Sequence, residues 1–539
     1  MLDIYGRDIQ FTYDYIIVGA GSAGAVIASR LAENTDASVL LIEAGPRDNS
    51  IFIKMPAAFS FPLMNDKYNW FLHSEEEPYL NRRKIYEARG RVLGGSSSIN
   101  GMNWVRGNPA DYDNWAKLGN KGWDYQSVLP FFKKCESYDK GSNEYRGKTG
   151  PIKITQNKAT HPFYKAFLEA GKQVGLNQAI DHNGIEQEGV HITQCNVKNG
   201  VRCSTALAYL SKSVVKDNLH ILCDHYVEKV SFKDKEAVGV VLSDMSGFNV
   251  FCNKEVIISA GAIHSPHILM HSGIGDSDLL TKLGIPVVQN LPGVGLSLKD
   301  HLAANVMYKT EGNHSLSIKF NYIGRLKLGA EWLFLKRGIG ASNLFEVGAF
   351  FKTSDEVEIP DVQIEFLPFI GELQHGEAKL DNGFQYFFSL MRPTSVGRVW
   401  IDSADPSIPP KFQFNFLETE YDKHTAISAI RFMRKLASQP VWKKYKPEEV
   451  SPGAHIQSDE EILEYLKETS GTNYHPCCTC RMGNDDLSVV NHDGKVHGFD
   501  NLRVVDASIM PEIISGNLNA PVIMMAEKIV DSIIQDFFA

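Results

Sequence analysis

Gly19, Gly21 and Gly24 stand in the spacing of a phosphate-binding turn, and Glu43 follows about 20 residues on. Gly19 permits the tight turn. Gly21 lacks a Cβ, so a pyrophosphate can approach the backbone there. Ser22 and Ala23 complete the turn, and the N-terminus of the helix that follows offers unpaired N–H groups and the positive end of its dipole. Gly24 lets that helix pack closely on the preceding strand. The Glu43 carboxylate is suited to accept hydrogen bonds from a ribose diol. These residues act only if held in place. Tyr13–Val18 reads as a buried strand, Ala25–Glu33 is rich in helix formers, and Ser38–Ile42 is a second buried strand. A Gly-X-Gly-X-X-Gly alone says little; between strand, helix, strand and acid it predicts a dinucleotide-binding βαβ unit.

The rest of the chain bounds the partner. Its 539 residues suffice for two or three domains. Apolar residues at 43% and charged residues at 22% describe an ordinary globular protein rather than a disordered or fibrous one. A net charge of −9 without a basic block argues against nucleic acid. The first residues lack the basic-then-apolar form of a signal peptide, and no run approaches a membrane span. The expected location is the cytoplasm, with peripheral contact on the inner face of the cell membrane left open. Eight cysteines are sparse for the length and are expected as reduced thiols.

Sheet-like patterning at Leu219–Leu222, Ala237–Leu242 and Val256–Ile258 returns after a long interval. Between residues 310 and 455 aromatic and β-branched runs, such as Val347–Phe351 and Phe384–Phe388, predict an antiparallel sheet, followed by a helix over Ala426–Ser438. The chain ends on a strand (Leu502–Asp506) and a helix (Val522–Phe537). The fold class expected is mixed, α/β and α+β. A discontinuous Rossmann-like nucleotide domain takes residues 1–160, 200–310 and 465–539, and an inserted substrate domain of antiparallel sheet plus helices takes 161–199 and 311–464.

Further segments carry chemistry. Residues 90–104 form a Gly/Ser loop and 261–275 a turn, helix and turn; Tyr474–Gly483 and Ser515–Pro521 lie near the C-terminus. With these residues the chain resembles the glucose–methanol–choline family of FAD oxidoreductases, from about Asp14 to Asp531. The two loops look like that family's signature regions. Within it, Met55–Ala58, Gly340–Asn343 and Val505–Pro511 are most similar to the choline dehydrogenases.

The resemblance implies FAD, held by the Gly19–Gly24 turn, Glu43, Gly94, Asn100, Gly101, Met102, Val227 beside the adenine, Asp506 and Asn517. It implies His475 as the base that takes the hydroxyl proton, a task that suits an imidazole. Asn519 matches the second polar residue of the catalytic pair. Ile99 stands where some choline oxidases carry the histidine bonded to flavin, so the FAD is expected to be noncovalent. Cys477 and Cys480 have the gap of zinc ligands but no second pair, so no metal is expected. The implied substrate is a primary alcohol, choline, oxidised to betaine aldehyde and onward to glycine betaine, with a quinone or another acceptor downstream; a different alcohol is the alternative. Glu346 is the implied counter-ion of the trimethylammonium group. Phe59, Phe61, Trp70 and, best placed, Phe369 are candidate cage aromatics. Where choline oxidases carry a further histidine, this chain offers Glu365 or Gln363.

Overall fold

In the computed structural model, which describes residues 2–243, 248–374 and 377–539, the expected βαβ unit opens the first of two large sheets. Thr12–Val18 pairs in parallel with Val39–Ile42, Tyr15 opposite Val39 and Val18 opposite Ile42. Leu219–Leu222 adds on the outside of Val39–Ile42, also parallel. On the other side Thr12–Val18 meets Phe248–Ile258, which pairs in parallel with Leu502–Val504 and antiparallel with Glu236–Leu242; Val227–Lys233 closes that edge. The parallel strands read as unbroken apolar runs because both faces are covered: Val39–Ile42 and Leu219–Leu222 are buried throughout. The strands thus come from three distant stretches, as a discontinuous domain requires.

The turn at Gly19 to Gly24 works by close approach. Gly19 has φ +99°, and a Cβ on Gly24 would stand 1.9 Å from the Gly19 carbonyl oxygen. The helix Ser22–Asn34 therefore sits on its strand as only glycine permits. The C-terminal helix Asn519–Phe538 packs along it, and a buried ion pair from Arg30 Nη2 to Glu527 Oε1, 2.8 Å, ties the two.

The second sheet is antiparallel. Its order is Glu448–Ser451, Leu302–Lys309, Gly383–Leu390, Val362–Leu367, Val347–Phe351 and Gly189–Ile192, with Gly471–Thr472 beside Leu302. Its period of two separates its tasks. Ile364, Phe366, Phe384, Tyr386 and Phe388 pack in the core, Phe366 with its ring 5.0 Å from that of Phe167 on the helix Pro162–Gln173. Glu365, Leu367, Gln385 and Phe387 alternate with them and line a cavity.

One expected boundary is corrected. Residues 302–309, assigned to the nucleotide domain, pair over seven positions with Gly383–Leu390 and belong to the substrate sheet. Gly471–Thr472, assigned likewise, joins the same sheet. The largely apolar run 302–309 suits either sheet, and only the pairing decides.

Gly24→Ala is expected to lower the free energy of unfolding by about 2 kcal/mol, the range of overpacking in a filled site, measured by denaturant titration. An unchanged midpoint would show that the turn does not need the close approach.

Candidate active site

A cavity of about 1130 Å³ gathers most of the residues singled out in the sequence. Gly19, Gly21, Ser22, Ala23, Glu43 and Val227 line it, as do Asn100, Gly101, Met102, Asp506, His475, Asn517, Asn519 and Phe369. Gly24 and Gly94 do not. Gly24 serves packing. Gly94 is corrected to a supporting position: its N–H donates to the Ala20 carbonyl, and a Cβ there would meet Ser98 Oγ at 2.3 Å. Its neighbour Gly95 faces the cavity, lying so near Gly21 that a Cβ would be 2.7 Å from that Cα.

The acids of the nucleotide end are already engaged. Glu43 Oε2 accepts from the Ala20 N–H at 3.0 Å and Oε1 from the Gly45 N–H at 2.9 Å. Burial pushes its carboxyl up to about 7. Asp506 Oδ2 accepts from the Gly261 N–H at 2.8 Å and from Ser265 Oγ, so it pins the start of the helix Gly261–His271.

At the other end two imidazoles meet. His301 Nδ1 and His475 Nδ1 are 2.9 Å apart, and His301 Nε2 lies 3.1 Å from the Ile514 carbonyl oxygen. A carbonyl only accepts, so His301 carries its proton on Nε2 and its Nδ1 is bare. His475 must then donate from Nδ1, which leaves the lone pair on His475 Nε2. Asn517 Nδ2 stands 3.3 Å from that nitrogen. The amide is itself oriented, because Gln363 Nε2 donates to Asn517 Oδ1 at 3.1 Å. Asp300 sets the spacing of the pair: its Oδ1 accepts from the backbone N–H of both His301 (2.8 Å) and His475 (2.7 Å), while Oδ2 accepts from Thr472 Oγ1. Burial, with His301 and Arg89 nearby, holds the His475 imidazole well below its ordinary 6.5; burial brings His301 to about 3. Both rings are neutral at neutral pH.

Three expectations are corrected. The amide beside His475 belongs to Asn517, not Asn519. Asn519 opens the C-terminal helix, accepts from Ser22 Oγ at 2.8 Å, and so belongs to the phosphate turn. Glu346 does not line the cavity. Its Oε2 accepts from the Ala159 N–H and its Oε1 from Ser342 Oγ, both at 2.7 Å, so it closes a loop. The carboxylate that does line the cavity near His475 is buried Glu365, which accepts from Asn103 Nδ2 and lies 3.5 Å from Asn517 Nδ2. Burial pushes its carboxyl up. Trp70 is the third: its ring lies tilted 4.3 Å from that of His264 and meets Tyr226, next to Val227, edge-on at 6.1 Å, at the nucleotide end. Phe59 and Phe345 (5.6 Å apart) and Phe369, which packs on Phe320, remain around the pocket, and Phe61 lines its more exposed edge.

The sequence reading also missed His301, Asn103 and the positioning part of Gln363. Only the folded chain brings His301 to residue 475.

A two-part nucleotide fold, a cavity that crosses into an antiparallel sheet, and a neutral imidazole whose Nε2 lone pair meets only the Asn517 amide on the cavity wall define an oxidoreductase-like architecture. The chain belongs to the GMC oxidoreductase family, whose N-terminal model matches residues 13–303 and whose C-terminal model matches 393–526. It is 45% identical over 527 residues to an oxygen-dependent choline dehydrogenase of Pectobacterium carotovorum subsp. carotovorum, covering 97% of this chain and 94% of that one. The oxygen-dependent choline dehydrogenase of Chromohalobacter salexigens is 44% identical over 527 residues, with the same coverage. Among solved structures, pyridoxine 4-oxidase from Mesorbium loti superposes with a TM-score of 0.86 at 29% identity, covering 96% of this chain and 98% of that one. A formate oxidase of Aspergillus oryzae, studied for FAD modification, gives 0.91 at 26% identity, covering 97% and 98%.

The folded His475 titrates below 6.5, so unfolding takes up a proton between 6.5 and its folded value. The stability that its neutral form contributes is present above 6.5 and is lost as the pH falls toward that value. Nitrogen-15 NMR of labelled histidine is expected to show His475 neutral, protonated on Nδ1, at pH 6.0. A cationic ring or an Nε2–H tautomer there would contradict the network.

Proposed function

We propose that this protein oxidises choline to betaine aldehyde, and the aldehyde hydrate onward to glycine betaine, with reversibly bound FAD. The observation that carries the reading is the pair of groups in one cavity: the lone pair of His475 Nε2 and the carboxylate of Glu365, separated by the single amide of Asn517. A two-carbon amino alcohol spans such a gap, with its hydroxyl on the imidazole and its cationic nitrogen near the carboxylate. The choline dehydrogenases among the relatives support the same substrate.

The residues present fit FAD. Asn519 Nδ2 is a buried donor without a protein partner on the cavity wall, beside Ser22. The touching glycines Gly21 and Gly95 leave backbone open to a flat or phosphorylated group. Gly19, Gly21, Ser22 and Ala23 would hold the pyrophosphate and Glu43 the ribose. Val227 would sit by the adenine, and Asn100, Gly101, Met102, Asp506 and Asn517 by the flavin half. FAD, when bound, supplies the hydride acceptor.

The chain's own residues do the rest. His475 Nε2 accepts the hydroxyl proton, which makes the α-hydrogen easier to remove. His301 holds the Nδ1 proton in place, so the ring cannot present the wrong nitrogen. The Asn517 amide, which meets His475 Nε2 in the structure, would give up that contact to donate to the substrate oxygen, and it does not titrate. A quaternary ammonium has no N–H to donate, so its recognition rests on charge and on aromatic faces, here Glu365 with Phe59, Phe345 and Phe369. A bound cation favours the ionised form of Glu365 against the burial that raises it. Ile99, buried against Ile53 and Val92 on the cavity wall, offers no nucleophile for a bond to flavin.

Anaerobic mixing with choline is expected to bleach the flavin, and His475→Ala to slow that step about 10²- to 10⁴-fold with FAD still bound. Bleaching only by neutral aliphatic, aryl or sugar alcohols would replace choline with one of those. Admitting air then tells oxygen from a quinone as the acceptor.

Glu365→Gln is expected to raise the KM for choline about 10- to 100-fold, the cost of removing one partner of a desolvated charge pair. The neutral isostere 3,3-dimethylbutanol should be little affected. Glu346→Gln should leave both unchanged, and a rise confined to Glu346→Gln would return the counter-ion to that residue.

Acid precipitation should release free yellow flavin into the supernatant; colour kept in the pellet would mean a covalent link.

A further inference from the structure

Among the described residues four arginine side chains are almost wholly buried: Arg106, Arg146, Arg202 and Arg503. Three have carboxylate partners. Arg106 and Arg146 share Glu136, and Arg503 pairs with Glu255. Arg202 has only neutral acceptors. Its Nε donates to the Ile53 carbonyl at 2.8 Å. Its Nη1 donates to the Asn100 carbonyl at 2.7 Å, to Asn100 Oδ1 at 2.9 Å and to the Ser97 carbonyl at 3.3 Å. Nη2 is buried without a partner. Burial brings the guanidinium down to about 9, so it remains a cation at neutral pH. Carbonyl oxygens soften such a charge but do not cancel it, and in a poorly polarisable interior its field reaches beyond the groups that hold it.

The charge stands behind one wall of the cavity. Ser96, Ile99, Asn100, Gly101 and Met102 line that wall, in the part fitted to the flavin half, while Arg202 does not line it and grips Asn100 instead. The amide of Asn100 is held twice, since Oδ1 also accepts from the Met102 N–H at 3.0 Å. With the Asn100 carbonyl drawn to the guanidinium, the Gly101 N–H of the same trans peptide is turned the other way. Arg89, which lines the cavity, differs: Glu87 answers its charge at 3.0 Å. A hydride carries two electrons and one proton. A neutral flavin that accepts it becomes a monoanion, while the hydroxyl proton of the alcohol goes to His475. We propose that Arg202 is the electrostatic positioning residue of the redox site: it fixes the 97–100 turn from behind, and its unpaired charge favours the flavin in the anionic form that hydride transfer leaves. This role of Arg202 rests on FAD in the cavity and not on choline. An alcohol assay that fails leaves it standing, and its own failure leaves the alcohol reading standing.

Holoenzyme is equilibrated with redox dyes of known potential, with no alcohol present, and the flavin spectrum is followed. Arg202→Met keeps most of the side-chain length and removes the charge. It should shift the balance of oxidised to reduced flavin at least tenfold toward oxidised, a midpoint about 30 mV lower for a two-electron couple. Arg202→Lys keeps the charge without the planar fork and should recover most of that shift. The wild-type midpoint, which needs no variant, is followed with pH. Uptake of one proton with two electrons moves it by about 30 mV per pH unit, and uptake of two by about twice that. The one-proton slope is expected to persist down to about pH 6, because a nearby cation favours the anion. An unchanged midpoint in Arg202→Met, or in Arg202→Gln should the methionine variant lose its flavin, would overturn the proposal. So would a lysine variant that shifts as far as the methionine one, which would leave Arg202 a clamp only, or a two-proton slope in the wild type.

Discussion

One buried carboxylate sets the geometry on which the site depends. Asp300 accepts from the backbone N–H of His301 and of His475 and from Thr472 Oγ1. Burying a carboxylate is costly unless its lone pairs are used, and three donors meet that demand. Its place in the chain matters as much. It precedes Leu302–Lys309, the strand that leads into the substrate sheet; His301 is its neighbour in the chain, while Thr472 and His475 stand 172 and 175 residues further on. The backbone at the two histidines is therefore held together by one carboxylate, and the contact between their rings completes the pair.

From that anchor a line of hydrogen bonds crosses the molecule. The Ile514 carbonyl fixes His301, His301 fixes His475, and His475 meets Asn517. Glu365 follows, then Asn103, then Asn343, which also reaches the Gly101 carbonyl. Each member has one orientation because its neighbour is of fixed character, a carbonyl at one end and oriented amides along the way. Fully engaged polar networks of this kind specify one arrangement. The line joins the Gly/Ser loop of the nucleotide domain to the inner face of the antiparallel sheet, so the two domains share a site rather than merely touch.

The sequence made the local chemistry legible and left the tertiary choices open. The phosphate turn could be read because its parts are adjacent: strand, glycines, helix and acid lie within about 30 residues. His475 was legible through the family's pattern. Asn519 was assigned to the catalytic pair and Asn517 to the cofactor, and the structure turns Asn517 rather than Asn519 to the imidazole. What divides them is the start of a helix, which turns one amide to the imidazole and the other to Ser22. Glu346 and Glu365 posed the same difficulty across strands. Glu346 immediately precedes the strand Val347–Phe351 and Glu365 lies on its antiparallel neighbour, with Gly348 opposite Glu365, and spacing does not say which carboxylate faces inward. The Ala159 N–H that claims Glu346 is a contact no local pattern announces. The boundary near residue 302 was missed for a like reason, because a largely apolar strand suits either sheet until its partner is known.

The run of cysteines after His475 has a consequence of its own. Cys477 and Cys480 are buried, and burial drives both thiols well above their usual range. Nucleophilic attack on peroxide requires the thiolate, which these two surrender only with difficulty. Thiols buried this deeply stay in the form that reacts slowly with peroxide, so the chain carries sulfur within a few residues of His475 with little tendency to oxidise.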